Sequence, residues 1–187
     1  MDIITRKNAT GYHASMNQGK AAFIKTLTLA EAAPILACLG ASADDLYPAC
    51  YPAVVSTGLP YLVLPLRNRA FDIPVGAPGL QALLHAVGAH FLGILDVPNL
   101  RIRSGDVDGK VEDAATGSLA GPCGAYLVQQ GLQLPDVDFC LHQGENIGRP
   151  SKLLVQVRSS GEVMVSGDVC RVAAGVLEEG VADHLNL

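Results

Sequence analysis

The stretch "VEDAATGSLAGPCGAYLVQQG", Val111–Gly131, decides the fold. Two adjacent carboxylates, Glu112 and Asp113, run into a Thr116-Gly117-Ser118 turn, and a run of small residues follows. Ser118 is a favoured N-cap, so the stretch predicts a helix from about Leu119 to Gln130, stopped by Gly131. Pro122 falls at the end of its first turn, where a missing N–H costs little. Ala120, Gly121, Gly124 and Ala125 put small side chains on much of the helix surface. Each of the two interior glycines costs about 1 kcal/mol against alanine. Close contact on several sides offsets that cost most simply. A helix threaded through a curled sheet has that need.

The same turn carries the candidate chemistry. Free backbone N–H groups of Gly117, Ser118 and the next residues sit at the positive end of the helix dipole, a natural seat for a carboxylate or phosphate. Glycine at 117 lets a ligand approach the backbone closely. Asp113, four residues earlier, is near enough to face the same anion. On spacing alone, an acidic pair before a Ser-capped helix fits a plain cap equally, and both readings stand at this point.

Outward from this segment, short β-like runs dominate. Gly11–Met16 alternates loosely. Pro52–Leu66 reads as two strands around Ser56–Pro60, and Phe91–Val97 and Phe139–Gly144 as one strand each. Lys152–Arg158, the turn "SSGE" and the run from Val163 to Leu177 suggest a C-terminal hairpin, with Gly167 marking a bulge. Helices are fewer. Thr28 and Glu31 have capping-box spacing. Pro34 would fall inside that helix, so the predicted start moves to about Ala33, with Gly40 as the end. "APGLQALLHAVGAH" predicts a helix with Pro78 in its first turn. Many strands and three short helices out of strict alternation indicate an α+β fold with a mixed sheet.

Composition narrows the function classes. The net charge is −5 and no Lys/Arg cluster occurs, which argues against nucleic acid and anionic membranes as partners. The cysteines at 38, 50, 123, 140 and 170 form no C-x-x-C, so no zinc ribbon is expected; they read as buried thiols of a reducing cytosol. The first residues lack the apolar core of a signal peptide, and a cytoplasmic protein of one domain, residues 1–187, is expected. His13, His85, His90, His142 and His184 are scattered without metal-ligand spacing. Cys123 lies where the helix dipole would lower a thiol pKa, but it reads as structural. Arg149 either binds an acidic substrate or pairs with a carboxylate at a turn, and the second reading is preferred.

The segment "VEDAATGSLAGPCGAYLVQQG" resembles the signature of the PhzF-like phenazine-biosynthesis isomerases, which share the diaminopimelate epimerase fold. The resemblance continues through "QGENIGRPSKLLVQV", Gln143–Val157, and "VMVSGDVCRVAAG", Val163–Gly175. It is weaker in "ASMNQG" and "VSTGLPYLVLPL". It implies a mixed β-barrel wrapped around a central helix, as a single half of the usual two-domain fold. It also implies that Asp113 is the acid/base residue at a cleft, with Thr116, Gly117 and Ser118 holding a substrate carboxylate.

The chemistry implied is cofactor-independent and metal-free proton movement on a small carboxylated metabolite. The whole chain resembles only the C-terminal half of the family. The family's other half supplies a catalytic Glu and a Gly-His-Pro loop, and this sequence has no Gly-His-Pro. Its approach to the acidic motif is "RIRSGDVDG", Arg101–Gly109, rather than the family's Arg-Met-Phe-x-Pro. The resemblance therefore points to a homodimer that rebuilds the cleft, or to a separate N-terminal-half partner. The alternatives are a non-catalytic remnant or small-anion-binding module, and one subunit of a split isomerase.

Overall fold

A computed structural model describes residues 3–9 and 11–175 of the chain. The runs of β-branched and aromatic residues become ten strands: β1 (Ile3–Lys7), β2 (Tyr12–Lys20), β3 (Ala22–Thr26), β4 (Ala53–Ser56), β5 (Pro60–Leu66), β6 (Phe91–Asp96), β7 (Arg101–Arg103), β8 (Phe139–Gln143), β9 (Ser151–Val157) and β10 (Glu162–Val169). Three α-helices join them: α1 (Leu29–Cys38), α2 (Leu80–Ala86) and α3 (Gly117–Gln129).

All ten strands form one sheet, in the order β1-β2-β10-β9-β8-β7-β6-β5-β4-β3. The pairs β5–β6 and β7–β8 are parallel and the others antiparallel. Only Ala21 separates β2 from β3, yet β3 ends the order and β2 stands next to the other end. The sheet must therefore curl until its ends meet. Lys20 pairs with Glu162 of β10, and Ala22 pairs with Ser56 of β4, so β2 and β3 act as one stave closing a barrel.

α3 fills this barrel and touches β4, β5, β6, β9 and β10. Residues 119 to 127 are all buried. Their small side chains have the predicted cause. A Cβ on Gly124 would lie 2.5 Å from Val155 Cγ1, and one on Gly121 would strike the Gln18 side chain. Gly124→Ala is expected to cost about 1–3 kcal/mol by overpacking, read from urea unfolding. The buried phenol of Tyr126 is satisfied by donating to the Tyr51 carbonyl at 2.7 Å.

A second core lies outside the barrel, where α1 and α2 cover β4–β6. Val54, Leu62 and Leu64 face these helices, while their neighbours Val55, Tyr61 and Val63 face α3. Burial on both faces explains why "AVV" and "YLVL" read as continuous apolar runs. β9 has one wet face, and only Leu153, Val155 and Val157 are buried.

Several local expectations are corrected. α1 starts at Leu29 with Thr28 as N-cap, because the capping box forms despite Pro34. Thr28 Oγ1 accepts from Glu31 N at 3.3 Å, Glu31 Oε2 accepts from Thr28 N at 2.9 Å, and Ala32, Ile35 and Leu36 are buried. That support outweighs one missing N–H in mid-helix. α3 begins two residues earlier than expected, and its N-cap is Thr116 rather than Ser118. Gly79 caps α2 with φ +85°, leaving Pro78 outside the helix. The register shift in β10 falls between Glu162 and Met164, while Gly167 pairs regularly with Ala14. Strands β1, β3 and β7 carried no clear alternation and were not predicted. The expected hairpin residues 176–177 and His184 lie outside the described residues.

The capping box makes a pH prediction. The Lys25 ammonium, 2.7 Å from Glu31, together with the Thr28 amide and hydroxyl, holds the Glu31 carboxyl at about 2. A lowered folded-state value means that this contribution is complete above the ordinary value of 4.5 and is lost as pH falls through about 2. A carboxyl-carbon NMR titration of Glu31 is expected to show its midpoint near 2, moving upward in Lys25→Met.

Candidate active site

After β7 the chain stays extended through Ser104–Asp106, then turns back as Val111–Asp113. Asp106 N donates to Val111 O and Asp113 N to Ser104 O, each at 2.9 Å. Asp106 Oδ1 closes the turn by accepting from Lys110 N at 2.6 Å and Val111 N at 3.1 Å. Adjacent side chains on an extended segment point to opposite sides. This separates the two neighbouring carboxylates.

Glu112 turns inward. Arg103 holds it with a two-pronged bond, Nε to Oε1 at 2.8 Å and Nη2 to Oε2 at 2.7 Å. The two side chains are only 9% and 11% exposed. Arg103 Nη1 donates to the carbonyls of Ala70 and Ile73. All three nitrogens of this guanidinium thus pin the start of the acidic motif to the scaffold.

Asp113 turns the other way, toward the tip of α3. Thr116 Oγ1 donates to Asp113 Oδ2 at 3.1 Å. Leu119 N and Ala120 N both donate to Thr116 O at 3.1 Å, and the Thr116 amide donates to Gln143 Oε1 at 2.8 Å. The amides of Gly117 and Ser118 have no acceptor among the described residues. They are the two open donors at the positive end of the helix. Asp113 itself is exposed, and Gly117 and Ser118 are half-buried, so the site is an open rim.

Barrel residues brace this tip. Gln18 of β2 donates from Nε2 to Gly117 O at 2.9 Å and accepts from Thr57 Oγ1 at 2.8 Å. Tyr61 of β5 shares a 2.8 Å hydrogen bond with Ser118 Oγ. Burial pushes the Tyr61 phenol up and the nearby Asp113 charge adds to this, while the bond to Ser118 opposes it. The phenol therefore stays neutral at physiological pH.

The structure brings Asp113 and Thr116 into direct contact and sets Gly117 and Ser118 beside them. Thr116 spends its amide on Gln143 and its hydroxyl on Asp113, so contact between Thr116 and an anion requires exchanging one of these bonds. Gln18, Thr57, Tyr61 and Gln143 were not singled out from the sequence. Gln143 did leave a signal. In β8 the inward positions read Phe139, Leu141, Gln143, so a glutamine stands where an apolar residue is expected.

Cys123 is fully buried and burial pushes its thiol up, so the dipole effect expected from the sequence does not prevail. Arg149 is exposed and has no carboxylate within 4 Å among the described residues; in that loop Arg101 pairs with Glu145 at 2.8 Å. Among the described residues no three His, Cys, Asp or Glu side chains converge as metal ligands would. No described helix is long and apolar enough to cross a membrane.

A family model described as "Phenazine biosynthesis-like protein" matches residues 106–175, which contain the acidic motif and α3. The uncharacterized isomerase YddE of Escherichia coli is 30% identical over 168 residues, covering 83% of this chain and 56% of the relative. The trans-2,3-dihydro-3-hydroxyanthranilate isomerase of Pseudomonas aeruginosa is 42% identical over 72 residues, covering 36% of this chain and 26% of the relative. A solved structure of a predicted epimerase from Pseudomonas aeruginosa matches with a TM-score of 0.86 at 41% identity, over 95% of this chain and 63% of that one. The chain thus spans about half the length of the YddE relative, at 56%.

Proposed function

This chain belongs to the PhzF-like isomerase family, and from that premise we propose that it moves a proton on a small carboxylated metabolite. The Gly117 and Ser118 amides receive the substrate carboxylate, with Thr116 completing the turn that presents them. Asp113 takes a proton from carbon and returns it. The carrying observation is that one carboxylate is anchored through Thr116 at the tip of α3, where the next two amides have no acceptor among the described residues. Abstraction next to a carboxylate needs a base held on one face of the carbon, and this arrangement supplies one.

Two substrate classes are the first to test. Small amino acids suit an epimerase. Cyclic diene carboxylates suit an isomerase of the kind named for the Pseudomonas aeruginosa relative. The open rim needs a cover, and we assign that role to a second copy of the chain. A two-fold pair would bring one Asp113 opposite the other, and two such carboxylates sharing a proton would act as base and acid. Sedimentation at micromolar concentration is expected to show a dimer; a monomer would contradict the pairing. The five cysteines are free thiols, which fits a reducing cytoplasm, but against expectation only Cys50 and Cys123 are buried, while Cys38 and Cys140 are half-buried and Cys170 is exposed.

The test of turnover is deuterium incorporation from D2O into both substrate classes, followed by mass spectrometry. Uptake at carbon supports an isomerase. The exposure of Asp113 favours a second reading, an anion-binding module without turnover, which predicts binding and no uptake. Gly117→Ala probes the anion seat separately. An added Cβ there meets nothing within 4 Å, so stability is expected to hold. The methyl group would stand beside the open amides, and carboxylate affinity is expected to fall about tenfold, or by about 1.4 kcal/mol.

A further inference from the structure

Gln143 is 2% exposed and uses both ends of its amide on the turn between Asp113 and Thr116. Its Oε1 accepts from the Thr116 amide at 2.8 Å. A backbone N–H can only donate, so this bond fixes which way round the side-chain amide lies. Nε2 then donates one proton to the Asp113 carbonyl at 3.0 Å and the other to Thr116 Oγ1 at 2.8 Å. Thr116 Oγ1 has a single proton of its own. Because Gln143 already supplies a donor to that oxygen, the hydroxyl proton is directed elsewhere, and Asp113 Oδ2 stands 3.1 Å away. The direction of every bond in the chain Gln143–Thr116–Asp113 follows from the one backbone amide.

We propose that Gln143 is a positioning residue which, through the Thr116 hydroxyl, commits Oδ2 of Asp113 as an acceptor and leaves Oδ1 as the oxygen that exchanges the substrate proton. The inference rests on the proton-transfer role of Asp113 proposed above. In the forward step a C–H bond of the substrate breaks and an O–H bond forms at Oδ1. The electron pair stays on the substrate, delocalised toward its carboxylate. The reverse transfer, to the same or another carbon, restores the Asp113 carboxylate, so no further reactant is consumed. Holding Oδ2 opposes rotation of the carboxylate and favours presenting one oxygen to one face of the carbon, which is the geometric condition for efficient transfer.

Gln143→Glu keeps an acceptor for the Thr116 amide but, ionised, has no proton for Thr116 Oγ1 or for the Asp113 carbonyl, and protonated it serves only one of the two. The hydroxyl is then free to turn from Asp113 to the new carboxylate. Thr116→Val removes the hydroxyl, and Thr116→Ser keeps it. The deuterium assay is expected to show kcat lowered about 10- to 100-fold in Gln143→Glu and Thr116→Val, with KM changed less than about threefold, and near-wild-type kcat in Thr116→Ser. The double variant is expected to be no worse than the weaker single one.

A second readout needs no turnover. The Asp113 carboxyl-carbon resonance is expected to move in Gln143→Glu as it does in Thr116→Val, and to stay in place in Thr116→Ser. Absence of exchange in the wild type would overturn the proton-transfer reading while leaving this resonance to test the relay. An unmoved Asp113 resonance in folded Gln143→Glu, or strictly additive kcat losses, would overturn the relay itself.

Discussion

Arg103→Met is expected to destabilise the chain by about 3–5 kcal/mol, the usual cost of removing one partner of a buried ion pair. Glu112 would keep its buried position but lose both prongs of its bond, and the Ala70 and Ile73 carbonyls would lose their donor. A loss of that size is a large fraction of the stability of a typical domain. Denaturant unfolding checks it. Adding Glu112→Leu to Arg103→Met is expected to recover part of the loss, because the cost comes mainly from the carboxylate left behind. A double variant less stable than Arg103→Met alone would show that the cost does not come from the stranded carboxylate.

Asp113→Asn is expected to lower deuterium exchange on the order of 10²- to 10⁴-fold, the range for a positioned general base. The folded state should persist, because Asp113 is exposed and contributes one side-chain hydrogen bond, from Thr116 Oγ1. An asparagine oxygen still accepts from that hydroxyl but takes no proton from carbon. Carboxylate binding at the Gly117 and Ser118 amides should survive, and should strengthen once the nearby negative charge is gone. Loss of exchange with binding retained separates chemistry from recognition. Equal exchange in wild type and Asp113→Asn would show that another group, or a contaminant, moves the proton.

The sequence was most legible where one physical requirement dominated. Small residues along α3 pointed to enclosure because glycine is costly in a helix without a packing reason, and Val155 and Gln18 are the side chains that press on it. The covered strands β4–β6 were legible as apolar runs. Legibility failed where two local rules competed. At α1 a capping box met an interior proline, and the cap with its buried face prevailed. At Ser118 the capping preference was real, but the helix began earlier, and its hydroxyl went to Tyr61 instead.

The site was half legible for a related reason. Asp113, Thr116, Gly117 and Ser118 lie within six residues and announce a turn. Their supports come from β2, β5 and β8, at Gln18, Tyr61 and Gln143, and only the closure of the barrel brings them together. The different fates of Glu112 and Asp113 were equally hidden, since they depend on which side of a short hairpin faces Arg103.

The most direct measurement is a crystal structure of the chain soaked with an unreactive small carboxylate. Carboxylate oxygens are expected about 2.7–3.1 Å from the amides of Gly117 and Ser118, with Asp113 Oδ1 facing the adjoining carbon. A carboxylate bound elsewhere while those amides stay open, or an Asp113 side chain swung away from the ligand, would contradict it.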